Sequence, residues 1–148
     1  MIKILFLLTT VLILASSACA SEPVTVDAIS QIKISLNGIK VAELPLADIA
    51  KLPQVAVKVN SEVRSGPTLM SVIDLVGIVS FMDVLVCGYS QDHSAELSKE
   101  LTEIDLASEI IFTLDKNTMA IFGPEIPLEY WGMEITDISV ISCNCYLT

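Results

Sequence analysis

Apolar and polar positions change rhythm several times along the chain. From Ile4 to Ala15 the residues are apolar, broken only by Thr9 and Thr10. Between Gln31 and Leu36 they alternate, with Ile32, Ile34 and Leu36 on one face, and Asn37-Gly38 follows. Alternation interrupted by Asn-Gly predicts a β-hairpin, with Ile39 and Val41 continuing the apolar positions. Leu46 to Leu52, held between Pro45 and Pro53, predicts a short helix. Gln54 to Asn60 sets Val55, Val57 and Val59 against Ala56 and Lys58, the pattern of a strand.

Ser65-Gly66-Pro67 breaks the chain, and Pro67 suits the first turn of a helix. Leu69, Met70, Val72, Ile73, Val76 and Val79 then recur at helical spacing, with Gly77 near the end. Val84 to Cys87 is a solid apolar run, which predicts a strand buried on both faces. Gly88 to Thr102 is polar and is expected to be a long loop with a helical turn around Glu96 to Leu101. A strand is predicted over Glu109 to Leu114 and a turn at Asp115-Lys116-Asn117. Phe122 to Gly132 carries two Gly and two Pro and is expected to be irregular, and Thr136 to Ile141 closes the fold as a strand. About six strands and two or three short helices result, a single compact α+β domain with a mixed sheet.

The first run needs separate treatment. Lys3 precedes it and small residues follow, and Ala18-Cys19-Ala20 fits a signal-peptidase site. Residues 1–20 are therefore expected to be a cleaved signal peptide, residues 21–30 an exposed lead-in, and residues 31–148 the domain. The run is shorter than the ~20 apolar residues of a transmembrane helix, so no span is expected in the mature protein. An alternative is a lipoprotein acylated at Cys19, because Ser16-Ser17-Ala18 is a loose lipobox. Without an Arg-Arg pair, export is expected by the general route, which threads an unfolded chain to a periplasmic or secreted destination.

Composition narrows the function. The 148 residues are 53% hydrophobic, too apolar for a disordered chain, and fit one domain. Eight Lys+Arg against 18 Asp+Glu give a net charge of −10. That balance excludes a nucleic-acid footprint and opposes adsorption to anionic membranes.

Candidate chemistry is sparse. Cys143-Asn144-Cys145 places two thiols ~6.6 Å apart if the segment is a strand, the long edge for a disulfide. A bridge between them, a bridge from one of them to Cys87, free thiols, or a small thiol/disulfide protein are the open readings. Zinc comes last, since three mature Cys and one His stand at unrelated spacings. Cys87 ends an apolar run and reads as a small buried hydrophobe. His93 is the lone His, in a polar loop after Tyr89. Tyr130-Trp131 serves equally as a core cap or a ligand anchor. Glu100, Glu103 and Asp105 read as a solvated face.

Taken in order, these pieces resemble a known family. IKISLNGIKV is followed by ELPLADIAKLPQ, a valine-rich strand, SGPTLMSVIDLVGI, a buried strand ending Gly88-Tyr89-Ser90, and a late Gly123-Pro124 before the terminal strand. This order is similar to the sulfite-oxidase-type oxidoreductase molybdopterin-binding domain, over roughly residues 30 to 143. The resemblance implies a fold that holds a molybdenum-pterin and catalyses oxygen-atom transfer, with a Cys thiolate on the metal. It makes Tyr89 the candidate catalytic residue, and Arg64, Gly88, Tyr89 and His93 the candidate cofactor-binding residues. The chain departs from the pattern where it matters. The stretch from Val57 to Arg64 has Asn60 and Ser61 but no Cys, and neither is a soft ligand. Glu125 and Glu129 stand where the family has an Arg. An unfolded export route also cannot carry a cofactor that the family acquires folded, in the cytoplasm. The expectation is a cofactor-free member acting as a binding module for a small molecule or a protein partner. The alternative is an active molybdopterin-dependent oxidoreductase using a non-Cys ligand or a partner subunit.

Overall fold

Asn37 and Gly38 both adopt positive φ, 49° and 84°, as the tight turn of a right-twisted hairpin requires. That turn joins β1 (Gln31–Leu36) to β2 (Ile39–Pro45) in antiparallel register. The computed structural model describes residues 31–115 and 117–142. The expected leader and lead-in, Cys19, Cys143 and Cys145 lie outside the described residues. The chain continues through α1 (Leu46–Ile49), β3 (Val55–Val59), β4 (Glu62–Gly66) and α2 (Leu69–Leu75). Next come β5 (Asp83–Tyr89), β6 (Glu96–Leu101), α3 (Glu103–Leu106), β7 (Ile111–Asp115) and β8 (Thr118–Phe122). A 3₁₀ turn, Leu128–Tyr130, precedes β9 (Glu134–Ile141).

Five strands form one sheet in the order β2-β1-β9-β5-β6. β1 and β9 run parallel and every other neighbouring pair is antiparallel, so the sheet is mixed. Asn37 ties the first hairpin to the last strand. Its Nδ2 donates to the Ser142 hydroxyl at 2.8 Å, and its Oδ1 accepts from the Ser142 amide at 3.0 Å. The β3–β4 and β7–β8 hairpins lie outside this sheet and are joined to each other. The Phe112 amide donates to the Pro67 carbonyl at 2.8 Å and the Leu69 amide to the Ile110 carbonyl at 3.0 Å.

The core lies between the main sheet and these outer elements. Ile32 and Ile34 of β1, Val84 and Val86 of β5, and Ile138 and Val140 of β9 are fully buried. They meet Leu69, Val72 and Ile73 of α2, and Phe112, Met119 and Ile121 of the β7–β8 hairpin. Val57, Ile111 and Phe122 form a second cluster, with Trp131 against it. No charged or polar residue is buried among the described residues. The expected α+β class with a mixed sheet and a few short helices is what the molecule has.

Several expectations need correction. Ile39 and Val41 are exposed: Ile39 sits beside the turn opposite Leu36, and a bulge at Ile34/Ser35 sets Ala42 rather than Val41 opposite the buried Ile34. β5 is not buried on both faces: Val84, Val86 and Gly88 are buried, while Leu85, Cys87 and Tyr89 are half-buried on the other side. The segment Glu96 to Leu101 is a strand, not a helical turn in a loop. Its backbone pairs with β5 from Val84↔Leu101 to Tyr89↔Glu96, and tertiary pairing overrides the helix preference of Glu, Leu and Lys. The helix starts later, where the Asp105 carboxylate accepts from the Thr102 amide at 3.0 Å. Asp105 is thus a cap, while Glu100 and Glu103 are exposed as expected. β4 was not anticipated, because Glu62 to Gly66 has no alternation; it is held by pairing with β3. Pro67 sits one residue before the Thr68 N-cap rather than in the first turn, and the Thr68 hydroxyl accepts from the Ser71 amide at 3.1 Å. The described residues hold nine strands rather than six.

Candidate functional site

An open groove of about 550 Å³ runs between β4, the outer face of the β7–β8 hairpin and the start of β9. Arg64, Gln91, Asp115, Thr118, Trp131 and Glu134 are among the residues that line it. These residues arrive from five separate parts of the chain.

Arg64 is positioned by the pleat of β4. Its Nε donates to Glu62 Oε1 at 2.7 Å, and its Nη1 to the Trp131 carbonyl at 3.3 Å. The guanidinium carbon lies 4.9 Å from the Phe122 ring centroid and 5.5 Å from that of Trp131. The two rings pack at 4.7 Å with a 59° tilt, and Trp131 Nε1 donates to the Ile126 carbonyl at 2.8 Å. The irregular Phe122–Gly132 segment therefore folds over Arg64, and Trp131 caps the second core cluster while facing the groove. Tyr130 packs against the main core, which is the packing role of the two readings it was given.

His93 takes positive φ, 58°, in the connection after β5. Its ring stacks on Tyr89 with centroids 6.1 Å apart and 7° between planes. His93 Nε2 lies 2.8 Å from Glu134 Oε2. The loop is fixed by Asp92, whose Oδ1 accepts from the Ser90 hydroxyl at 2.7 Å and from the Ser94 hydroxyl and amide at 2.7 and 3.1 Å. These bonds, Ser90 first, hold the Asp92 carboxyl down to about 2.

Gly88 has a packing role here. A Cβ on it would lie 2.0 Å from the Glu134 carbonyl oxygen, so only glycine lets β9 approach. The approach occurs where the β5–β9 register shifts at Cys87/Gly88. On the other side of the sheet Tyr89 and Cys87 border a recess of about 360 Å³ with Glu96 and Asp137. Burial first, then Asp137 and Glu96, pushes the Cys87 thiol up, away from the reactive thiolate. Cys87 is a free cysteine among the described residues.

The fold thus brings Arg64 and Glu134 to one groove, with His93 reaching it only through Glu134, while Tyr89, stacked on His93, lines the other recess together with Cys87. Glu134, Gln91, Asp115 and Thr118 were missed by sequence reasoning. Each stands in an ordinary polar context, and only the fold gathers them.

The molybdenum-pterin implied by the family resemblance does not fit this donor set. Arg64 is the one cation lining the groove among the described residues, and it is already engaged with Glu62 and two rings. Asp115 and Glu134 add negative charge to the groove, which opposes an anionic phosphate there. Ser61 stands in the β3–β4 turn, where a thiolate is expected. No group of His, Cys, Asp and Glu suited to a metal ion occurs among the described residues.

Comparison of the chain with family models, with curated proteins and with solved structures gave no match in any of the three. No described helix is long and apolar enough to cross a membrane.

Proposed function

We propose that this chain is an exported, cofactor-free binding module on a scaffold resembling the molybdopterin-binding domain. The groove between Arg64, Trp131, Asp115 and Glu134 is its ligand site. One observation carries the reading: the groove's single cation, Arg64, is paired with Glu62, while Asp115 and Glu134, the latter with one oxygen on His93, line the same groove as carboxylates. Such a groove favours a neutral or cationic polar molecule. Trp131 offers an apolar edge, Gln91 and Thr118 offer neutral hydrogen-bonding groups, and Asp115 and Glu134 accept from hydroxyl or ammonium donors. Phosphate and sulfite are disfavoured there by the same charges.

The test has two arms. The full precursor is expressed in a molybdenum-replete host, and the purified protein is assayed for molybdenum by mass spectrometry and for released pterin by fluorescence. The same protein is screened by thermal shift against amines and polyols, with phosphate and sulfite as controls. Absence of metal and pterin, with a stabilising amine or polyol whose effect disappears in Asp115→Asn or Glu134→Gln, is the expected result. Stoichiometric molybdenum and pterin would overturn the proposal in favour of an oxygen-atom-transfer enzyme.

A further inference from the structure

A second surface, on the opposite side of α2 from the core, has different chemistry. Met70 of α2, Val79, Phe81 and Met82 of the α2–β5 connection, and Leu106 of α3 line a trough of about 600 Å³. A smaller recess of about 250 Å³ shares Met70 and Leu106 with it. Val79 is 92% exposed and Met82 is 50% exposed. Isolated surface apolar residues need no explanation, but a contiguous set does. Methionines make such a surface adaptable, because the thioether stem repacks around different side chains.

The rim is acidic. Asp83 and Glu103 border the larger part and Glu109 the smaller, and no Lys or Arg lines either among the described residues. Asp74 extends the acidic edge one helical turn from Met70 on the exposed face of α2. We propose that this trough docks a basic amphipathic helix of a partner protein, with apolar anchors on the methionines and Lys or Arg over the rim. Charge decides between occupants. A second copy would bring two acidic rims together, in a chain whose net charge is −10. Residues 21–30 and 143–148 contain no Lys or Arg and residues 1–20 only Lys3, so none of these segments supplies a run of complementary charge. This surface is separate from the Arg64 groove and does not depend on the function proposed for it.

The probe is a fluorescent helical peptide of Leu and Lys in amphipathic order, titrated into the purified protein and followed by anisotropy. Controls are the same residues in scrambled order and a Leu/Glu peptide. Saturable binding of the Leu/Lys helix alone, weakened tenfold or more by Val79→Lys or Met82→Lys, is expected. Glu103→Lys is expected to slow association and to flatten its salt dependence. Val79 is so exposed that its variant keeps the native melting curve, which separates lost docking from lost folding. Equal binding of the scrambled peptide, or no saturable binding, overturns the proposal. So does a concentration-dependent dimer abolished by Met82→Lys, which would make a second copy the occupant. A chain ending at Ser142 that binds the peptide more tightly would instead assign the trough to the terminal segment.

Discussion

Replacing Arg64 by Lys separates the two things its guanidinium does. Lysine keeps the charge but loses the planar fork and the flat face that lies against Phe122 and Trp131. The Glu62 contact contributes little, because Arg64 and Glu62 side chains are 31% and 45% exposed and solvent screens them, so it is worth at most about 1 kcal/mol. The two cation–π contacts, 4.9 and 5.5 Å from the ring centroids, contribute about 0.5–1 kcal/mol each. The bond to the Trp131 carbonyl adds about 1 kcal/mol. Arg64→Lys should therefore cost about 1–2 kcal/mol, and Arg64→Ala about 2–3 kcal/mol once the lost stem packing is included. For a domain of this size that lowers the Tm by about 4 °C or more per kcal/mol. The assay is urea unfolding of the native chain, Arg64→Lys, Glu62→Gln and the double variant. The coupling between Arg64 and Glu62 should stay below about 0.5 kcal/mol. If Arg64→Lys is as stable as the native chain, or if the Glu62 coupling carries most of the loss, the aromatic enclosure is not what holds Arg64.

Three other outcomes are expected. Gly88→Ala places a methyl 2.0 Å from the Glu134 carbonyl, which forces β5 and β9 apart. It should cost about 3 kcal/mol in chemical denaturation, and native-like stability would refute the close approach. Cys87 should react with a thiol reagent more slowly in the folded protein than in urea, since its thiol is pushed up by burial and by Asp137 and Glu96; faster reaction when folded would reopen a thiol-based function. The Asp92 carboxyl is held down to about 2, so its support of the His93 loop is complete above about pH 4 and is lost as pH falls through about 2. Asp92→Asn should abolish that transition in the loop amide signals followed by NMR, and its persistence would place it elsewhere.

The elements that were legible share one property: their pattern is local. Ile32, Ile34 and the Asn37-Gly38 turn predicted the first hairpin, and the helical spacing from Leu69 predicted α2. The family resemblance brought Arg64, Gly88, Tyr89 and His93 into view as candidates, and three of them lie around Glu134. β4 and β6 were illegible for a physical reason. Neither segment alternates strongly, and each is a strand because a neighbouring strand offers its backbone a full ladder. The exposure of Val41 was equally hidden, since one bulge at Ile34/Ser35 puts Ala42 instead of Val41 opposite Ile34.

Composition and patterning alone were enough to predict one α+β domain of high apolar content and negative net charge. Those are sums over residues or short-range repeats, and they do not depend on how distant segments meet. The groove is different. Glu134, Gln91 and Asp115 become neighbours of Arg64 only because β9 crosses to the middle of the sheet and the β7–β8 hairpin packs beside β4. Its charge was equally unreadable beforehand. A sequence counts Arg64 as a free cation, whereas the fold sets it against Glu62, Phe122 and Trp131 and leaves carboxylates facing the opening. Electrostatic character at a site is a property of distances and burial, and those arise only when the chain closes on itself.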